Sequence, residues 1–282
     1  MKIAGLIGSP VAHSLSPRMH DAGFNALGVE ARYELWETSA SELEARVQSL
    51  RAPEMLGANV TIPHKEAVLS LLDECDPQAA RIGAVNTIVK RGGRLIGYNT
   101  DAPGFLRALR EQADPLFELR GKHAIVLGSG GAAHGAALAL LDSHVGTLIL
   151  LGRDAAHLEA LLEHLREQGS NKRQNLRGAL LGTPETREYL TRADIVVNTT
   201  SVGLKPGDET RLIEVEALPV SALVMDMIFN PPRTPLLRDA EARGCAVLNG
   251  LSMLLYQGTL AFELWTGQSA PESVMRAALG LQ

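Results

Sequence analysis

The feature that most constrains this chain is a junction at residues 123–133. His123-Ala124-Ile125-Val126-Leu127 reads as a short buried strand, Gly128-Ser129-Gly130-Gly131-Ala132-Ala133 as a turn, and the small residues from Ala136 to Leu141 as a helix. Glycine at 128 permits the tight turn, glycine at 130 lets the backbone come close to a bound group, and alanine at 133 lets the helix pack closely. Strand, glycine-rich turn and helix in that order make the G-x-G-x-x-A form of a dinucleotide fingerprint. A chain built on such a junction is expected to be α/β, with helices packed on a parallel sheet.

The next strand, Thr147 to Leu151, ends at Gly152-Arg153-Asp154. In a nucleotide fold that strand end reads the adenosine ribose, with an acid for the 2′-hydroxyl of NAD or an arginine for the 2′-phosphate of NADP. Arg153 suits the phosphate, whereas Asp154 repels that dianion and can accept from a free hydroxyl. The pair implies NAD or NADP, with NAD slightly favoured. An amphipathic helix (Leu158, Leu161, Leu162, Leu165) and a polar surface loop from Gly169 to Asn175 follow. Strands are read at Ala193–Thr200 and Ala222–Ile228, then a proline-rich break, a helix from Leu236 to Arg243, a last strand Ala246–Leu248, and a closing helix from Leu251 to Trp265 opened by Asn249-Gly250.

From Ile3 to Leu72 the chain reads as β-α-β-α-β-α. Asn59-Val60-Thr61-Ile62-Pro63-His64-Lys65 is the most chemical stretch of this part. Strand alternation puts Asn59 and Thr61 on one face, and Pro63 predicts a helix start. Lys65 would then lie in the first helical turn, near the positive end of the dipole, where an ammonium is disfavoured. Ser14 and Ser16, before Pro17, fit a helix N-terminus able to hold a carboxylate, although Ser16 alone could be a simple cap. Ala84-Val85-Asn86-Thr87-Ile88-Val89 reads as a strand paired with Arg94–Tyr98 through Arg91-Gly92-Gly93, a hairpin signal, with Asn86 inside the first of these strands, where it could equally be a turn residue, and Asp101 after the second. Read alone, Asp101 is a helix cap, and Gln257 an exposed helix residue. The parallel topology nevertheless predicts that Ser14, Ser16, Asn59, Thr61 and Lys65 converge at strand carboxyl ends.

Charge narrows the partners. The net charge of −5 with both signs interspersed argues against nucleic acid and against an anionic membrane surface. The N-terminal residues are too glycine-rich for a signal region and no apolar run reaches bilayer length, so a cytoplasmic protein is expected. Cys75 and Cys245 are read as buried free thiols of a reducing compartment. His157 and His164 are read as solvent-facing, and no metal site is expected.

The ordered set of motifs resembles the shikimate dehydrogenase family along essentially the whole chain. It comprises Ser14-x-Ser16-Pro17, Asn59 to Lys65, Gly83-Ala84-Val85-Asn86-Thr87, Asn99-Thr100-Asp101, Gly128 to Ala132, Asn198-Thr199-Thr200, Asn230-Pro231-Pro232 and Tyr256-Gln257-Gly258. The resemblance implies two α/β domains with the active site in a cleft: a substrate-binding domain of residues 1–100 plus 249–282, and a Rossmann-like dinucleotide-binding domain of residues 101–248. It implies that Lys65 and Asp101 are the catalytic pair, that Ser14 and Ser16 hold a substrate carboxylate, and that Asn59, Thr61, Asn86 and Gln257 hold ring hydroxyls. Gly128, Ser129, Gly130, Gly131, Ala132, Arg153, Asp154, Thr199, Ile228 and Gly250 are the candidate cofactor contacts. The implied activity is nicotinamide-dependent interconversion of 3-dehydroshikimate and shikimate by a monomer or homodimer. A quinate/shikimate or aminoshikimate dehydrogenase is the alternative within the class, and a silent ligand- or nucleotide-binding protein the alternative outside it.

Two positions depart from the family pattern. Phe229 stands where a tyrosine hydroxyl would reach the substrate carboxylate, which implies one hydrogen bond fewer. Asp21 replaces the asparagine that usually follows His20, with no consequence visible in the sequence.

Overall fold

The computed structural model describes residues 1–112, 118–168, 175–205 and 207–281. The run read as a surface loop lies, over 169–174, outside the described residues. The chain divides into two compact units, residues 1–104 with 254–282, and residues 105–253.

The first unit opens with β1 (Lys2–Gly8), α1 (Ser16–Ala26), β2 (Ala31–Glu37), α2 (Leu43–Ser49) and β3 (Met55–Val60). It continues through β4 (Glu74–Cys75), α3 (Pro77–Ile82), β5 (Thr87–Arg91), β6 (Arg94–Tyr98) and the start of α4 (Asp101–Gln112). The sheet order is β2-β1-β3-β5-β6-β4. The β1, β2 and β3 strands run parallel, but β5 is antiparallel to both β3 and β6, so the sheet is mixed. Gly92 and Gly93, both at positive φ, make the two-residue hairpin turn that pairs Arg91 with Arg94. The reversal of β5 sets its start between the ends of β3 and β6, so polar residues from three strands meet at one edge. Asn59 pairs with Thr87, and Thr87 with Tyr98. Beneath this sheet Ile7, Trp36, Val47, Leu50, Val60, Val68, Ile88 and Leu95 form a buried cluster.

The helix expected at Pro63 is not formed. A single 3-10 turn, Ala67–Leu71, stands in its place, with Lys65 ahead of it in a turn. The Lys65 carbonyl accepts the backbone N–H of Val85 instead of a bond from within a helix, and His64 is buried with its ring nitrogen 2.7 Å from the Thr38 carbonyl. Tertiary partners have taken the groups that a helix would have used, so the dipole argument for Lys65 does not hold.

The second unit contains β7 (His123–Leu127), α5 (Gly131–Asp142), β8 (Thr147–Gly152), α6 (Ala155–Gln168), β9 (Asn175–Leu180) and α7 (Pro184–Leu190). After these come β10 (Ile195–Asn198), β11 (Leu223–Asp226), α8 (Pro235–Arg243) and β12 (Ala246–Leu248). Its sheet is parallel throughout, in the order β12-β11-β10-β7-β8-β9. The order reverses between β7 and β10, and crevices at such switch points are where open α/β sheets take ligands. The chain closes with α9 (Leu251–Thr266) and α10 (Glu272–Leu279). Among the described residues no helix is long and apolar enough to cross a membrane.

Candidate active site

In the first unit the end of β3, the start of β5 and the end of β6 bring their polar side chains into one hydrogen-bonded group. Lys65 Nζ lies 2.6 Å from Asp101 Oδ2, and the two side chains are only 14% and 11% exposed. Asp101 Oδ1 accepts from Asn86 Nδ2 at 2.9 Å. The same Nδ2 lies 2.9 Å from Thr100 Oγ1 and 3.3 Å from Gln257 Oε1. An amide nitrogen carries two hydrogens, so three acceptors compete for them and the longest contact, to Gln257, is the easiest for a ligand to displace. Asn86 Oδ1 accepts the Thr100 backbone N–H at 2.6 Å, which aims the amide. Gln257 is buried, with its Nε2 donating to the Leu254 carbonyl, so it is not the exposed helix residue that its neighbours suggested.

Asp101 is the first residue of α4, yet it does not cap the helix. The cap is Asn99, whose Oδ1 accepts the Ala102 N–H. The carboxylate of Asp101 is thereby left to Lys65 and Asn86.

Asn59 is buried and joins the same group through Thr87, to whose hydroxyl it donates at 3.0 Å. Thr61 follows the strand and is half-buried. Ser14 and Ser16 meet at the start of α1. Ser14 Oγ donates to Ser16 Oγ at 3.1 Å and accepts the Ser16 N–H, so the turn is tied by Ser14 and Ser16 is not a side-chain cap. The Ser16 N–H is taken by Ser14, Pro17 has none and the Met19 N–H goes to the Leu15 carbonyl, so the two hydroxyls themselves are the donors this helix start offers a carboxylate.

Tyr33, Thr87 and Thr100 belong to this group and were not singled out from sequence. All three are buried, and each reads as an ordinary strand or turn residue unless the pairing of β3, β5 and β6 is known. The departure at Asp21 also finds its place here. Its Oδ1 accepts the Tyr33 N–H at 2.7 Å, a bond an asparagine oxygen makes equally well. Burial raises the Asp21 carboxyl above its usual range, with the Tyr33 N–H pulling the other way. A carboxyl raised in the folded state gives stability that is full below its unfolded pKa and is lost as pH rises through the folded value. Asp21→Asn should therefore melt at or above the parent at pH 7, with the difference closing toward pH ~4. A melting series that shows the gap widening on acidification would refute this reading.

In the second unit, the fingerprint residues lie at the β7/β10 switch point. Gly128 adopts φ 116°, and a Cβ there would stand 2.6 Å from Thr199 Oγ1, so glycine is required by both backbone and neighbour. Thr199 donates to the Leu127 carbonyl at 2.7 Å, locking the end of β10 to the end of β7. Gly130 opens α5 with no side-chain cap, and a Cβ on it would meet nothing within 4 Å. Ser129, Gly131 and Ala132 are half-buried around it. An open space over uncapped helix-end N–H groups fits a pyrophosphate. At the end of β11, the Ile228 carbonyl accepts the Gly250 N–H, and a Cβ on Gly250 would lie 2.0 Å from the Met227 carbonyl oxygen. The close approach explains glycine at 250.

The ribose end differs from its reading in the sequence. Asp154 Oδ1 accepts the His157 N–H at 3.0 Å, and Oδ2 lies 3.4 Å from His157 Nδ1. The carboxylate caps α6, and that backbone hydrogen bond is the main cause of its lowered pKa. An acid engaged in capping is a poor receptor for a 2′-hydroxyl; Arg153 and Asp154 are both exposed, and it is the capping bond that sets them apart. His164, expected to face solvent, is half-buried with its ring 5.3 Å from that of His134.

With this geometry in view, comparison with known proteins identifies the family. Residues 6–88 match the shikimate dehydrogenase substrate binding domain, and residues 250–279 the shikimate 5′-dehydrogenase C-terminal domain. A shikimate dehydrogenase (NADP(+)) of Symbiobacterium thermophilum is 45% identical over 278 residues, 98% of this chain and 93% of the relative. The chain belongs to the shikimate dehydrogenase family. Among solved structures, a shikimate dehydrogenase in complex with NADP+ superposes with a TM-score of 0.88 at 36% identity, covering 99% of this chain and 94% of that one. A quinate dehydrogenase from Corynebacterium glutamicum in complex with NAD superposes with a TM-score of 0.86 at 32% identity, covering 98% of each. The preference for NAD read from Asp154 is not supported. The curated relatives are NADP(+) enzymes, and the residue on which that preference rested is a helix cap.

Proposed function

We propose that the protein is an NADP(H)-dependent oxidoreductase that interconverts 3-dehydroshikimate and shikimate. The observation that carries the reading is the 2.6 Å contact of Lys65 with Asp101, inside a group that also holds Asn86 and Gln257. Oxidising a secondary alcohol removes a hydride from carbon and a proton from oxygen, so a proton-exchanging group must touch the hydroxyl. When bound, the nicotinamide takes or returns the hydride. The Lys65/Asp101 pair takes the hydroxyl proton in oxidation and returns it in reduction. Asp101, steadied by Asn86, holds the Lys65 amine in one direction. Ser14 and Ser16 receive the substrate carboxylate, and Asn59, Thr61, Asn86 and Gln257 the ring hydroxyls.

Residues 1–100 with 249–282 act as the substrate-binding part and residues 101–248 as the dinucleotide-binding part. In the latter, Gly128 to Ala132 receive the pyrophosphate and Arg153 the 2′-phosphate, with Thr199, Ile228 and Gly250 lining the remainder. A quinate substrate is the second reading, favoured by the likeness to a quinate dehydrogenase. The serine pair argues for shikimate, because quinate carries an additional hydroxyl beside the carboxylate that these hydroxyls must receive.

A steady-state assay that crosses shikimate and quinate with NADP+ and NAD+, following reduced-nicotinamide absorbance, tests all of this. The highest kcat/KM is expected for shikimate with NADP+. A higher value for quinate would transfer the assignment to that acid, and no turnover with any pair would leave a binding protein.

A further inference from the structure

We infer that Tyr33 is a positioning residue of the substrate site, one that fixes the side-chain amide of Asn59 so that Asn59 meets a ligand hydroxyl only as a hydrogen-bond acceptor. The inference rests on the reading of Asn59 as a hydroxyl-holding residue. An asparagine amide offers two donor hydrogens and two lone pairs on its oxygen. Among the described residues, the Asn59 donors are committed to the Asn86 carbonyl at 3.2 Å and to Thr87 Oγ1 at 3.0 Å. One lone pair of Oδ1 receives the Tyr33 hydroxyl at 2.7 Å, the shortest of the three bonds. What remains for a ligand is a single acceptor position.

The phenol is itself held firmly. Its ring stacks on His20 at a centroid distance of 4.5 Å and an interplanar angle of 10°, with Trp265 closing on both rings. His20 is wholly buried, neither ring nitrogen has a hydrogen-bond partner among the described residues, and burial lowers its pKa to about 3, so it acts as a neutral plate. From the other side the Asp21 carboxylate fixes the Tyr33 backbone N–H. Burial pushes the Tyr33 hydroxyl well above the usual phenol range, so it keeps the proton it donates to Asn59. The Ser16 side chain, near the phenol, works against that rise without reversing it.

Nothing about Tyr33 requires that it touch the substrate; it acts through Asn59. Tyr33→Phe keeps the stacked ring and removes only the hydroxyl. It should raise KM for shikimate about 3–10-fold, the worth of one neutral hydrogen bond, while kcat and KM for NADP+ stay at parent values. Because the effect passes through Asn59, Tyr33→Phe should add nothing to the KM of an Asn59→Ala variant. Folding of each variant is checked by near-ultraviolet circular dichroism, with Asn59→Ser replacing Asn59→Ala if the latter does not fold. If Asn59→Ala raises KM and Tyr33→Phe does not, or if the two effects multiply in the double variant, the inference about Tyr33 is overturned and the site reading stands. An equal fall of kcat in Tyr33→Phe would reveal a merely structural role and overturn it too. If Asn59→Ala leaves KM for shikimate unchanged, the site reading itself fails and the inference falls with it.

Discussion

Lys65→Met should lower kcat for shikimate oxidation about 10²–10⁴-fold, the range for loss of a positioned acid–base group, and move KM far less. Among the described residues, Lys65 and Asp101, at 2.6 Å and only 14% and 11% exposed, are the lysine–carboxylate pair placed for this purpose. Asp101→Asn keeps the shape and an oxygen for Asn86, but removes one acceptor oxygen of the carboxyl that aims the Lys65 amine, and should also depress kcat. Since the two groups act as a unit, the double variant should be no slower than the slower single one. Stability adds an independent readout. With Lys65 gone, the buried Asp101 carboxyl loses that partner and keeps the bond from Asn86, so Lys65→Met should melt below the parent. Asp101→Asn in the same chain should restore part of that loss. Parent-like turnover in a folded Lys65→Met protein would remove Lys65 from the mechanism.

The second large effect is expected at the ribose. Arg153→Ala should raise KM for NADP+ about 10–100-fold, the worth of a charge-assisted hydrogen bond to a phosphate, with KM for NAD+ unmoved. Asp154→Ala should do the reverse of what its sequence position suggests. It removes the bond to the His157 N–H at the start of α6, so it should lower the melting temperature and leave the NADP+ to NAD+ ratio close to that of the parent. A large shift of that ratio in Asp154→Ala, with no change in melting, would return Asp154 to ribose recognition.

Local reading sufficed at some of these positions and not at others. The turn at Gly92-Gly93 and the fingerprint at Gly128 to Ala133 were legible because each depends on a few adjacent residues and on the positive φ that glycine supplies. Pro63 misled for the same reason. A proline is a fair local signal for a helix start, but it carries no information about the Val85 N–H that claims the Lys65 carbonyl. Asp154 was read as a ribose acceptor, and its hydrogen bond to the His157 N–H makes it the cap of α6 instead. Asp101 presented a cap and a catalytic acid, and Asn99 took the cap. Asp21, without an apparent role in the sequence, proved to be a backbone partner of Tyr33.

By itself the sequence determined the alternation of strands and helices, the dinucleotide junction and the set of residue types able to handle a hydroxy acid. Spacing along the chain suffices for those, because they arise within one strand, one turn or one helical stretch. Tertiary structure alone decided which of these residues meet. The antiparallel insertion of β5 between β3 and β6 puts Asn86 and Thr87 between Asn59 and Asp101, and the turn after β3 carries Lys65 to Asp101. Hydrogen bonds act over about 3 Å. Contacts among residues 33, 59, 86, 101 and 257 therefore exist only once the sheet is paired and α9 has returned to it.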